Sequence, residues 1–491
     1  MSSLKQKTLK GIGWAGMSRA LRVSLGFVVT MILAHLLTPA DFGIIGMCNV
    51  FIGLALIFEE MGLGAAIIQK KDLTEAHINS VFYVNVASGA VLAVLIFFAS
   101  PLIAAYYKQG LVAPVLRVMS VVFLIASLAV VQKNLLMKKM DFKKLAAVEV
   151  AAVFVGGVVG ITCALSGLGV WSLVAQLLSG NAVTTLLLWA LSDWRPRRIF
   201  SKDRFMELFG FSANLTGANL LDNVSYYLPQ LILGRFLGVN AVGYFTIAAY
   251  LMEIPRVHLT VVFAKVMFPA FSIVQDNLAK VRENYLKYIQ YIAVVTFPIY
   301  AGYIVVAPEA ILTIYGSQWV PVILLIQILS VMGLRTSVTT TVGTIFRSQG
   351  RTDIHLRWGL INIALRTLFI FAGIPFGIEG VAVSLALFSV TFLLIPQVWA
   401  NRLIGLSTVD FFRVQAPILG TAALMGAIAY AFRLGLLNLL APPMIVTLLA
   451  TAAVGGAAYP ALAKALGLRP AMQMWDMAME LLRSRKSTAA G

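Results

Sequence analysis

Seven ionisable side chains stand inside stretches otherwise apolar enough to be membrane-buried: Arg19, Arg22, Asp222, Glu253, Arg256, Arg335 and Arg366. Such a group at mid-bilayer costs roughly 2.5–3.5 kcal/mol on insertion scales, so it faces either a water-filled cavity or a partner. The arginines outnumber the acids, which predicts a net positive interior suited to an anion. A guanidinium stays charged when desolvated and donates paired hydrogen bonds, the geometry that phosphate accepts. Asn214, Asn219, Asn223 and Tyr226 widen the polar surface around Asp222, and Trp14 and Ser18 flank Arg22. The candidate substrate-binding set is therefore Arg19, Arg22, Asn219, Asp222, Asn223, Arg256, Arg335 and Arg366.

Arg22 and Asp222 stand 200 residues apart in a chain that repeats at that interval, which leaves two readings open. They form a salt bridge between two halves, or they line a wet substrate cavity. Glu253 and Arg256, three apart on one helical face, either neutralise each other or face that cavity, with Pro255 as a kink between them. Glu59 and Glu60 end an apolar span; they reach to the surface or pair with a lysine, or Glu59 joins Asp222 and Glu253 in taking up a coupling cation. Arg335 lies in the polar run RTSVTTT, and Arg366 follows Asn362 by one turn.

Other chemistries are not expected. Cys48 and Cys163 sit in apolar segments, which excludes a disulfide framework or a structural zinc site. His35, His77, His258 and His355 have no metal-binding spacing, and no phosphate-cradling G-x-x-x-x-G-K-[ST] run occurs. The sequence thus predicts no catalytic residue, metal or cofactor, and a protein that is not an enzyme.

The elements that must position these charges follow from composition. The 491 residues are 60% hydrophobic and only 12% charged, against about 25% charged in soluble domains. Long apolar runs recur from Gly11 to Ala463 and do not alternate, which predicts an all-α membrane protein of about 14 transmembrane helices rather than a barrel. The first apolar stretch, Gly11 to Leu36, is too long for a cleaved signal and is expected to remain as the first span.

MILAHLLTPADFGIIG, Met31 to Gly46, recurs in register as LILGRFLGVNAVGYFT, Leu231 to Thr246. Ile32, Leu33, Leu37 and Gly43 meet the same residue types at Ile232, Leu233, Leu237 and Gly243. Two pseudo-symmetric six-helix lobes are predicted, 1–191 and 205–401, joined by a basic cytoplasmic linker, 192–204. Two additional spans follow over 402–463, then an amphipathic cytoplasmic tail, 464–491, with Met472, Trp475, Met479 and Leu482 on one face. Repeated transmembrane halves are how many transporters build a central site between two bodies that rock.

The formal charge of +18 invites a nucleic-acid reading, but most of the 38 lysines and arginines fall in the termini and loops of one side. That is the positive-inside pattern, placing both termini in the cytoplasm and requiring no nucleic acid.

The segments HLLTPADFGIIGM (His35 to Met47), EEMGLGAAIIQKKDLTEAHINSVFYVNV (Glu59 to Val86) and QKNLLMKKMDFKKLA (Gln132 to Ala146) resemble the Wzx-type polysaccharide transporters of the multidrug/oligosaccharidyl-lipid/polysaccharide exporter superfamily, nearest its colanic-acid and exopolysaccharide branch. The resemblance runs over essentially the whole chain. It implies a multi-pass protein of the bacterial inner membrane that works by alternating access. The implied cargo is an undecaprenyl-pyrophosphate-linked oligosaccharide, moved from inner to outer leaflet for exopolysaccharide, capsule or O-antigen assembly. Membrane lipids, a polysaccharide polymerase and export machinery are the implied partners, and Arg22, Arg256, Arg335 and Arg366 match the family's cationic cavity by position. A multidrug or metabolite exporter of the same superfamily is the alternative; its cavity is typically acidic.

Overall fold

A computed structural model describes residues 19, 21–60, 63–70, 72–273, 277–339, 341–349, 351–440, 442–476 and 479, without the side chains at 60, 65, 210–219, 257–273, 347–348 and 352. Trp14, Ser18, Leu482 and the side chains of Asn214 and Asn219 therefore lie outside the described residues. Those described are helical, with no strand among them.

The chain divides into two compact units at Thr246/Ile247. In the first unit come α1 (Leu21–Leu36), α2 (Pro39–Glu60), α3 (Leu63–Gln69), α4 (Glu75–Tyr107), α5 (Val112–Met119), α6 (Val121–Ser127), α7 (Val130–Lys138), α8 (Phe142–Leu165), α9 (Val170–Leu191), α10 (Lys202–Phe236) and the start of α11 (Val239–Ile273). The second holds the rest of α11, then α12 (Leu278–Ile314), α13 (Val320–Thr339), α14 (Val342–Ser348), α15 (Thr352–Gly373), α16 (Gly377–Phe392), α17 (Leu394–Leu403), α18 (Thr408–Arg413), α19 (Ala416–Leu439), α20 (Met444–Ala465) and a last helix, α21, over 469–476.

Ten stretches among the described residues are long and apolar enough to cross a membrane. The further expected spans fall on α1, on the 35-residue helices α10 and α11, and on the separation of α15 from α16 within residues 353–403. Large apolar side chains such as Phe98, Leu102 and Leu186 stand on the outside of their helices, as a lipid solvent requires.

The internal repeat is visible as geometry inside the first unit. Leu33 and Leu233 are equivalently buried, and each accepts the turn hydrogen bond, from Leu37 N and from Leu237 N, both at 2.8 Å. The turns then reach the next helix by different means. Thr38 and Asp41 cap α2, with Thr38 N donating to Asp41 Oδ2 at 2.9 Å, whereas Gly238 turns into α11 at φ 84°. The helices so launched meet reciprocally: a Cβ on Gly43 would overlap the Val239 carbonyl oxygen, and one on Gly243 would overlap that of Pro39. Each contact is the other shifted by 200 residues, so a pseudo-twofold axis passes through this crossing. Only glycine lets two backbones come this close.

The linker is strapped to the start of α4. Ser201 N donates to Ser80 Oγ at 2.8 Å, Ser80 Oγ donates to Ser201 O at 3.2 Å, and Tyr83 Oη donates to Arg197 O at 3.1 Å. Trp194 packs edge-on against Phe82 in the apolar cluster of Leu63, Ile67, Val81 and Leu208. Beside it, Glu207 lies in the polar first turns of α10, where Lys70, Arg204 and His77 converge on it. His77 Nδ1 accepts from Thr74 N at 3.2 Å, which leaves Nε2–H to donate to Glu207 Oε2, also at 3.2 Å. Hydrogen bonds from Lys70 and then His77 hold the Glu207 carboxyl well below the usual carboxylate range, at about 2.

Candidate functional site: charges within the spans

In the first unit, α1 and α8 bring Arg19 and Arg22 to one acid. Arg22 Nε lies 3.7 Å from Glu149 Oε2, with both side chains more than a third exposed, and Arg19 feels both charges. Arg22 thus makes this ion pair with Glu149, an acid that the repeat, which offered Asp222, did not point to. Asp222 is exposed and Asn223 half-buried on α10. Glu59, at the end of α2, is buried to 1% exposure.

In the second unit, Glu253 and Arg256 lock together on α11. Arg256 Nε lies 3.1 and 2.9 Å from the two Glu253 oxygens, while Nη2 bonds Oε2 as well. Of the two readings of this pair, local neutralisation is the arrangement adopted, and Pro255 sits inside a helix that continues past it. Arg366 lies half-buried on α15.

Arg335 is arranged differently. It stands about two thirds along the stretch Ser317–Phe346, and its Nε, Nη1 and Nη2 are all buried with no hydrogen-bond partner among the described residues. The guanidinium instead lies 5.4 Å from the Phe412 ring centroid, a cation–π contact that leaves its donors unused. A polar network within its electrostatic reach crosses α12, α17 and the turn after α13. Thr341 Oγ1 and Gln397 Nε2 donate to Tyr285 Oη at 3.1 and 3.0 Å, and Gln397 Nε2 also donates to Asn401 Oδ1 at 2.8 Å. Gln397 Oε1 is buried and has no partner among the described residues. Side chains that each donate or accept this much in an apolar surround are costly unless a polar ligand or water completes them.

Three further charges within the spans escaped the sequence reading. Arg433 on α19 binds Glu309 on α12 through Nε and Nη2, both 2.7 Å from Oε1, with side chains 15% and 7% exposed. The rule that singled out Arg335 applies equally to Glu309 in VVAPEAIL, to Arg433 in AYAFRLGLL and to Glu149 in AAVEVAAV. A separation of 124 residues hid the pairing of the first two. Among the described residues no cluster of His, Cys, Asp or Glu is arranged to hold a metal ion.

Residues 32–324, well over half the chain and including α2 to α12, match the polysaccharide biosynthesis protein family. The chain belongs to that family. Among its relatives are the lipopolysaccharide biosynthesis protein WzxC of Escherichia coli K12, 28% identical over 86% of this chain and 83% of the relative, and the succinoglycan biosynthesis transport protein ExoT of Rhizobium meliloti, 27% identical over 98% and 97%. Among solved structures, the lipid II flippase MurJ in an inward closed conformation superposes with a TM-score of 0.74 at 12% identity, covering 92% of this chain and 98% of that one. An inward-facing multidrug MATE transporter superposes at 0.62, with 17% identity over 79% and 98%. At such identities the likeness is one of fold, and this family member has the all-α fold of those membrane transporters.

Proposed function

We propose that this polysaccharide biosynthesis protein is a flippase that moves undecaprenyl-pyrophosphate-linked oligosaccharide repeat units from the inner to the outer leaflet of the bacterial inner membrane, with both termini in the cytoplasm. Arg335 carries the reading: a cation kept inside a span, its five N–H donors unclaimed by described protein atoms, is held in reserve for an anion. A diphosphate between a glycan and a polyprenyl chain is such an anion, and Arg binds it without the risk of losing its proton. The glycan cannot enter hydrocarbon, whereas the polyprenyl chain can remain there, so a wet path for the headgroup is all the protein must supply. No covalent bond changes. The two lobes, 1–191 and 205–401, alternate between openings to either side, and an inside-negative potential assists an outgoing anion by about 2.3 kcal/mol per charge per 100 mV if it crosses the full field. The fold alone would equally suit a drug exporter, as the MATE likeness shows; the family match and the unclaimed arginine favour the anionic lipid-linked cargo.

Deletion of the gene is expected to strand lipid-linked repeat units on the inner leaflet, where a membrane-impermeant glycan label misses them in intact spheroplasts. Complementation with Arg335→Gln should leave them stranded at normal protein abundance, and Arg335→Lys should restore only part of the export. Full export by Arg335→Gln, or repeat units reaching the outer leaflet in the deletion strain, would overturn the proposal.

A further inference from the structure

The second unit holds a cavity of about 830 Å³ between α12, the end of α20 and α21, lined almost wholly by apolar atoms. Its size falls in the roughly 300–1,000 Å³ of small-ligand pockets. α21 is seated by Leu468, Ala471 and Met474, which pack on the unit's core, and by Tyr291 Oη donating to Gln473 Oε1 at 3.3 Å. Met472 and Trp475 are exposed and border the cavity, as the amphipathic reading of the tail allows for a helix lying in the membrane interface.

Three polar groups line this otherwise apolar space: Lys464 on the last turn of α20, Asp476 on α21, and Tyr459. Neither Lys464 nor Asp476 has an ion-pair partner among the described residues, although both border one cavity. The Tyr459 hydroxyl is buried without a hydrogen-bond partner there. Five residues before Lys464, it lies about 7.5 Å further into the membrane along the helix.

We propose that this groove binds one zwitterionic aminophospholipid from the leaflet on the side of the basic loops. The phosphate takes Lys464, the primary ammonium takes Asp476, an ester carbonyl accepts from the Tyr459 hydroxyl one and a half turns deeper, and an acyl chain fills the space beside Trp475. Charge selects this occupant. An anionic lipid or a polyprenyl phosphate satisfies Lys464 alone and places a negative charge against Asp476. The bound lipid fastens α21 to the bundle from outside and leaves the cargo path to other residues.

Trp475 supplies its own probe. The full-length protein in detergent micelles is titrated with phosphatidylethanolamine or phosphatidylglycerol carrying brominated acyl chains, and the Trp475-dependent quenching is taken as the difference from Trp475→Phe. Phosphatidylethanolamine should quench half-maximally at about fivefold lower concentration, the scale of one solvent-edge charge pair. Asp476→Lys should reverse that preference, and Lys464→Glu, which removes the partner of the phosphate common to both lipids, should weaken quenching by both; both positions are exposed, and gel filtration checks that each variant stays folded. Equal quenching by the two lipids, a preference that survives Asp476→Lys, or displacement of phosphatidylethanolamine by a lower concentration of undecaprenyl phosphate would each overturn the proposal.

Discussion

Replacing Gly43 with alanine places a methyl group where α2 and α11 already touch backbone to backbone. The added Cβ would overlap the Val239 carbonyl oxygen and come within 2.8 Å of both the Val239 carbonyl carbon and its Cγ2. Ordinary contact between carbons is about 3.5–4.0 Å, so the helices must part by about 1 Å at their crossing, and a carbonyl within a helix cannot swing aside as a side chain can. Overpacking costs about 1–3 kcal/mol, and the rigidity of this obstacle argues for the upper end. Alanine returns about 1 kcal/mol of helix propensity, leaving a net loss of about 2 kcal/mol. The reciprocal contact makes Gly243→Ala equally costly, since its Cβ meets Pro39 at the equivalent place and the Gly43 nitrogen at 3.2 Å. Once one substitution has parted the helices the second has less to do, so the double variant should lose less than the sum. Gly26→Ala and Gly302→Ala are the controls, because a Cβ at either meets nothing within 4 Å and the propensity gain stands alone. The temperature at which half the solubilised protein leaves its monodisperse gel-filtration peak should fall by several degrees for Gly43→Ala and Gly243→Ala and hold or rise for the controls. A stabilised Gly43→Ala, or opposite signs at the two paired positions, would refute the pseudo-twofold crossing.

Truncating one partner of a buried ion pair costs about 3–5 kcal/mol because the other charge is left behind. Glu309→Ala and Arg433→Ala should therefore each lower thermal stability sharply, while Glu309→Leu with Arg433→Leu recovers most of the loss in the same gel-filtration assay. Glu207→Gln removes the anion shared by Lys70, His77 and Arg204 and should speed protease cleavage within 192–204 without changing the helical circular dichroism. Because the folded-state value of Glu207 is depressed, its contribution is fully present above about 4.3, the unperturbed glutamate value. It is lost as pH falls toward about 2, so cleavage of the wild type should approach that of Glu207→Gln only in that acid window. For Arg22, whose Glu149 partner is partly exposed, Glu149→Gln should leave abundance nearly unchanged, within about 1 kcal/mol, and exchange of the two residues should preserve stability.

What could be read before folding depends on whether the information is local or relational. Composition and the length of apolar runs declare the solvent, and hence the all-α membrane fold, because every backbone group in lipid must find its partner within a helix. The 200-residue repeat was legible for the same reason that the crossing works: Gly43 and Gly243 are both required to be glycine by one shared contact, so identity survives at that point while Thr38 and Gly238, which reach the same turn by different means, do not match. The cost of a charge in hydrocarbon is also local, and it exposed Arg22, Glu253, Arg256 and Arg335 as residues needing an explanation. What each charge does is relational. Glu253 and Arg256 pair because they share a helical face, which spacing can show. Glu309 and Arg433 pair only because α19 lies against α12, and Glu149 meets Arg22 only because α8 lies near α1, facts fixed by packing across long separations. Subtracting these paired charges from the intramembrane set leaves Arg335 distinctive, with buried nitrogens and an aromatic ring in place of an acid. Packing therefore turns an undifferentiated excess of arginine into one specific candidate for holding a diphosphate, and that distinction predicts a sharper export defect from Arg335→Gln than from Arg256→Gln, whose charge Glu253 already occupies.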